Sequence, residues 1–146
     1  MSNMELRKNR FITNNGSVKS FSLRASAVIK VGDRYLMVLN EVANKYKHPG
    51  GHLHLNESLF EGLKRELMEE IGLVIDKVDY EKVLFDSVLK DGNLMINALF
   101  PIEIGVEKAE KILLQSPLPT KLLKLEELNN TNTWESEIVA IKNITK

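Results

Sequence analysis

The chain has no cysteine, which excludes disulfide frameworks and thiolate chemistry alike. It carries no net charge. Twenty basic residues balance twenty acidic ones, so no general electrostatic pull draws it to nucleic acid or to an anionic membrane. No apolar run approaches the length of a membrane span. The first residues, MSNMELRKNRFITNNG, lack the apolar core of a secretory signal. A cytoplasmic setting is therefore expected, with neither nucleic acid nor membrane as partner. Repeats, linkers and low-complexity tracts are missing too. What remains is globular: 146 residues, 43% of them hydrophobic, are enough for a single domain over residues 1–146 with a buried core.

Met1 to Gly16 is polar and reads as a loose arm or short edge strand, with Lys8 and Arg10 as solvated basic groups. Leu23 to Lys30 and Tyr35 to Leu39 read as two strands about a Gly32-Asp33 turn. Asn40 to His48 reads as a polar loop in which Lys45 and Lys47 are candidates to meet an anionic group, with surface charge as the equal alternative. Val78 to Leu89 and Leu94 to Ile104 read as strands about an Asp91-Gly92 turn. Pro101 marks the end of the second as an edge or a bulge. Val106 to Gln115 has helical spacing but remains ambiguous, and Leu122 to Leu125 reads as a short strand. TWESEIVAIKNI is a terminal helix with Thr133 as its N-cap and with Trp134, Ile138 and Ile141 facing the core. Strands, helix, strands, helix, joined by hairpins, predict an α/β fold: a mixed β-sheet between α-helices, an α/β/α sandwich.

The densest signal is Gly50 to Leu73, GGHLHLNESLFEGLKRELMEEIGL. Ser58 and Glu61 form an S-x-x-E capping box and Gly72 supplies a left-handed stop, so the helix runs from Leu59 to Ile71. Phe60, Leu63, Leu67 and Ile71 make its apolar stripe. Beside them lie Glu66, Glu69 and Glu70. On a helix Glu69 and Glu70 both neighbour Glu66, and all three stand near the C-terminal end, where the macrodipole disfavours negative charge. A hard divalent cation with oxygen ligands would reverse the sign of those interactions. A solvated acidic edge, offset by Arg65 against Glu69, is the other reading of the helix alone.

The spacing around the helix shifts the balance toward the first. Gly51, Glu57, Arg65-Glu66-Leu67, Glu69-Glu70 and Gly72-Leu73 stand at the fixed offsets of one motif, and the stretch resembles the Nudix box of the Nudix hydrolases. The strand pattern on either side extends the likeness over most of the chain. The resemblance implies the Nudix fold, with the box as loop–helix–loop, and a metal-dependent pyrophosphohydrolase that cleaves a diphosphate bond in a nucleoside diphosphate linked to another moiety. It implies Mg²⁺ or Mn²⁺ as cofactor, a small nucleotide as partner, and a homodimer as a possible assembly. By the same likeness Glu69 and Glu70 are the principal metal ligands, Glu66 is a further ligand or the general base, and the Gly50 carbonyl is the backbone ligand. Glu57 and Arg65 pair to hold the loop against the helix. A downstream acid is matched in order by Glu107 and Glu110.

Two positions depart from the common pattern. His54 stands where a glutamate is frequent, and Asn56 where a glycine is frequent. His52 and His54, at period two, would share a strand face, and with His48 they are candidates for substrate contact alongside Lys47. Subfamily marks outside the box point nowhere positive. The NADH-associated SQPWPFPxS stretch is missing, Val88 stands where ADP-ribose hydrolases often have proline, and Leu89-Lys90-Asp91 lacks the tyrosine of dinucleoside polyphosphate hydrolases. The CoA-associated stretch has no counterpart in Asn40 to Pro49. A nucleoside triphosphate is left as the leading substrate by elimination. The competing class is a catalytically silent Nudix-fold nucleotide-binding or regulatory module. Such modules usually lose acidic positions of the box, and this chain keeps Glu66, Glu69 and Glu70.

Overall fold

Strand β1 (Ser20–Val31) is the strand on which the sheet is built, because both of its edges are in demand. The computed structural model describes residues 18–145. Lys8, Arg10 and the Asn14–Gly16 turn fall outside them. One edge of β1 pairs in parallel with β6 (Asn93–Glu103), from Ser20↔Asn93 to Lys30↔Glu103. The other edge is divided. Arg24–Ser26 pair antiparallel with β4 (Gly50–His52), and Ile29–Val31 pair antiparallel with β2 (Arg34–Asn40). Strands β3 (Lys45–Lys47) and β7 (Thr120–Lys124) both join β2, and β5 (Leu84–Lys90) closes the far side on β6. The sheet is mixed, as the pattern of hairpins predicts.

Alternation along β1 feeds two cores. Ala25, Ala27, Ile29 and Val31 pack with Leu63, Leu67 and Ile71 of α1 (Leu59–Ile71) and with Ala109 and Ile112 of α2 (Val106–Gln115). Val28, between them, faces the other way. With Tyr35, Met37 and Leu123 it meets Ala140 and Ile141 of α3 (Glu135–Ile144). Helices therefore cover both faces, which is the α/β/α sandwich. Burying an aliphatic side chain of this kind contributes roughly 1.5–3 kcal/mol, so the stripe of α1 alone is enough to pin that helix across β1 and β4.

Local chemistry sets the ends of α1 as expected. The Glu61 N–H donates to Ser58 Oγ at 3.1 Å, the Ser58 N–H donates to Glu61 Oε1 at 3.2 Å, and Gly72 sits at φ 69°. Both predicted hairpin turns are present, with positive φ at Gly32, Asp91 and Gly92. Val106–Gln115 resolves as helix. Pro101 lies in β6 beyond Leu99, the last residue paired with β5, so it occupies a stretch with β1 as its one ladder partner among the described residues.

Four expectations need correction. Val78 to Leu89 is not one strand: a 3₁₀ turn at Tyr80–Lys82, capped by Asp79, precedes β5. Asn40 to His48 is not wholly loop, because Lys45–Lys47 pairs with β2. Thr133 does not cap α3. Its buried hydroxyl donates instead to the Tyr46 carbonyl at 2.6 Å, and the helix starts from Trp134 with no side-chain cap. Strand β4 ends at His52, so His52 and His54 do not share a strand face.

Candidate active site

The site is assembled where β4 runs beside β1 and turns into α1. Gly50 has φ 147°, and a Cβ there would strike the Ala25 carbonyl and lie 2.6 Å from Ser26 Oγ. Only a glycine lets the two strands approach so closely. At Gly51 a Cβ would lie 2.7 Å from Glu66 Oε1, so the missing side chain is the space in which that carboxylate rests. Asn56, in place of the frequent glycine, takes φ 69°, a left-handed conformation that asparagine tolerates better than most residues.

Arg65 organises three glutamates. Its Nε donates to Glu57 Oε2 at 2.7 Å and its Nη2 to Glu57 Oε1 at 3.1 Å, a two-pronged pair between loop and helix. Nη2 also donates to the His52 carbonyl at 3.0 Å, and Nη1 to Glu66 Oε1 at 2.9 Å and Glu69 Oε2 at 3.3 Å. Arg65 thus fixes the loop while neutralising the acidic edge of the helix. The Glu57 carboxyl is held down to about 2 from an ordinary 4.5, chiefly by the Arg65 bond and then by the His54 N–H at 2.7 Å.

That depression has a sign that can be tested. A folded-state value below the unfolded one means that the unfolded chain binds the proton more tightly, so folding is favoured as pH rises. The contribution is present in full above pH 4.5 and is lost as pH falls through about 2. In metal-free protein, Glu57→Gln is expected to melt below the parent at neutral pH, with the gap closing on acidification. Melting curves across that range check it, and a gap independent of pH would contradict it.

Glu70 faces the other way. Its Oε1 accepts from the Gly50 N–H at 2.7 Å, and its Oε2 lies 3.3 Å from Lys47 Nζ, which also donates to the Gly50 carbonyl at 2.9 Å. Burial raises its pKa above the usual carboxylate range, against the opposing pull of Lys47 and the Gly50 N–H. Its backbone carbonyl is held as well, accepting from the Leu118 N–H at 3.1 Å. Glu69 is the open member of the trio, with its side chain 57% exposed.

Other candidates separate. Lys45 stacks over the Trp134 ring at 5.6 Å, whereas Lys47 reaches the site. His48 is buried, its Nε2–H donating to the Glu137 carbonyl at 3.1 Å, and so joins the glycine loop to α3. His54 is exposed and touches the site through its N–H. His52 pairs across β1–β4 with Arg24, and its pKa is lowered by partial burial and then by the Arg24 charge. Glu107 and Glu110 are exposed on α2, with no hydrogen bond or ion pair to Glu66, Glu69 or Glu70. Sequence reasoning missed Arg24. It sits opposite Asn97 on β6, and among the described residues neither its buried Nε nor the Ser22 hydroxyl on the same face has a hydrogen-bond partner. A lone arginine in a run of strand residues carries no local signal of this.

The family model of the NUDIX domain matches residues 22–116, which span both the glycine loop and α1. The chain belongs to the Nudix hydrolase family. Among curated proteins none matches it in sequence. Solved structures share the fold at low identity. A MutT NUDIX hydrolase from Burkholderia pseudomallei superposes with TM-score 0.65 at 14% identity, covering 86% of this chain and 98% of that one. A NUDIX hydrolase from Nitrosomonas europaea gives 0.64 at 20%, covering 85% and 88%. An Ap4A hydrolase from C. elegans gives 0.67 at 14%, covering 86% and 96%.

Nudix hydrolases act on phosphoric anhydride bonds of small nucleotides and generally use divalent cations. The donors gathered here fit such an ion: carboxylates and the Gly50 carbonyl are hard oxygen ligands of the kind Mg²⁺ and Mn²⁺ prefer. Among the described residues, no three acidic or histidine side chains converge as a ready-made cage. Arg65 draws Glu66 and Glu69 to one side while Lys47 and the Gly50 N–H draw Glu70 to the other. Within the described residues no helix is long and apolar enough to cross a membrane.

Proposed function

We propose that this Nudix protein is a metal-dependent pyrophosphohydrolase acting on a nucleoside diphosphate linked to another group, with a nucleoside triphosphate as the leading substrate. The observation that carries the reading is that each of two successive glycines receives a carboxylate. Gly50 donates to Glu70, and the open face of Gly51 accommodates Glu66. Mg²⁺ or Mn²⁺, when bound, would be held by Glu70, Glu69 and the Gly50 carbonyl, with Glu66 as a further ligand or the general base, and would supply neutralisation of phosphate charge and acidification of a water.

The protein's own groups divide the remaining work. Glu66 Oε1 is tied to Arg65, whereas its Oε2 has no hydrogen-bond partner among the described residues and is the atom to accept the proton of the attacking water. The Lys47 ammonium, already at the Gly50 carbonyl and Glu70, is a cation for a substrate phosphate. Arg24, His52 and Asn97, neighbours across three strands, offer polar contacts to the sugar and base.

The test is release of phosphate or pyrophosphate, with Mg²⁺ or Mn²⁺, from a panel of NTPs, oxidised NTPs, ADP-ribose, dinucleoside polyphosphates, nucleotide sugars and CoA. Metal-dependent release from one class is expected, with Glu66→Gln slower by about 10²–10⁴. Silence across the panel would overturn the reading. A Glu66→Gln variant at the parental rate would remove Glu66 from the proton-accepting role.

A further inference from the structure

Lys47 does something that a lysine awaiting a phosphate need not do. Its Nζ is inserted between the Gly50 carbonyl, at 2.9 Å, and Glu70 Oε2, at 3.3 Å, with the lysine side chain 17% exposed and the glutamate 13%. Those are two of the oxygens named above as metal ligands. Lys45, two residues earlier, is turned away onto Trp134. The backbone that presents Lys47 is held on both sides: the Thr133 hydroxyl donates to the Tyr46 carbonyl, and the next residue, His48, donates to Glu137.

We propose that Lys47 is a tethered cation that occupies the metal position of the nucleotide-free protein and is released onto substrate phosphate when the divalent ion binds. A divalent ion here would be held by the same two oxygens that hold the ammonium. It would take the space into which the ammonium protons now point, and like charge opposes sharing it. The lysine stem is flexible, so the ammonium can leave and its backbone stay. Metal and ammonium then compete when nucleotide is absent. A phosphate that accepts the ammonium removes the competition, and metal and nucleotide bind with positive coupling. The Glu70 carboxylate thereby keeps a counter-ion until a polyanion arrives. This inference rests on the hydrolase reading and assigns Lys47 a role in when the metal binds.

Mn²⁺ binding, followed by electron paramagnetic resonance and calorimetry on the parent, Lys47→Met and Lys47→Arg, tests it. Each is measured alone and with a non-hydrolysable nucleoside triphosphate analogue, after correction for the Mn²⁺–analogue complex. Lys47→Met is expected to bind Mn²⁺ about tenfold more tightly than the parent without nucleotide, inside the usual range of such couplings, and to gain less from the analogue. Lys47→Arg should stay near the parent. Metal-free Lys47→Met should melt below the parent, its Glu70 having lost a counter-ion, and should gain more from Mn²⁺. Equal or weaker Mn²⁺ binding by a folded Lys47→Met, while the parent binds, would overturn the role of Lys47 alone. No Mn²⁺ binding by any form, with or without the analogue, would overturn the hydrolase reading and this inference with it.

Discussion

Glu70→Gln is expected to lower turnover about a thousandfold or more in a protein that still folds. Metal charge stabilisation contributes several kcal/mol to phosphoryl transition states, and each 1.36 kcal/mol is a factor of ten. The amide keeps an oxygen to accept from the Gly50 N–H, so the loop retains its 2.7 Å anchor. It loses the negative charge that would face the ion. Stability should change little, because losing the Lys47 pair is offset by no longer burying a carboxylate whose pKa burial already raises. Turnover of the substrate found in the panel, measured beside a thermal melt, checks both halves. Near-parental turnover in a folded variant would remove Glu70 from the metal set.

Arg65→Ala should damage stability and rate together. The guanidinium serves Glu57, Glu66, Glu69 and the His52 carbonyl at once. Without it three carboxylates are left to repel one another, and the loop loses its tie to α1. The pairs are sheltered but not deeply buried, which places the stability loss at about 2 kcal/mol, between surface and interior ion pairs. For a domain of this size that is roughly 4–8 °C in melting temperature. Rate should fall by up to about a hundredfold, the usual effect of removing a group that orients ligands. Lysine should recover little, since one ammonium does not span four acceptors in this arrangement. A variant that melts like the parent would contradict the structural part of the role.

The box helix was legible because everything that defines it is local. Ser58, Glu61 and Gly72 set its ends within a turn of the residues they cap, and Leu63, Leu67 and Ile71 give its period. Glu57, Arg65, Glu66, Glu69 and Glu70 were legible through their offsets, although not how Arg65 divides them. What stayed hidden depends on distant partners. Lys45 and Lys47 look equivalent in sequence, and only Trp134 and Glu70, brought in from elsewhere, separate them. Thr133 resembles an N-cap until β3 arrives to claim its hydroxyl. Arg24 reads as an ordinary strand residue until β4 and β6 place His52 and Asn97 beside it.

The link between residues 46–48 and 132–137 has a practical side. Tyr46 donates its N–H to Asn132 and accepts from Thr133, and His48 donates to Glu137, so the start of the last helix acts as a clamp on the strand that presents Lys47. Trimming the protein from that end, or fusing a bulky partner close to it, would loosen the glycine loop from behind. A shortened version could keep every residue of the box and still be a poor enzyme.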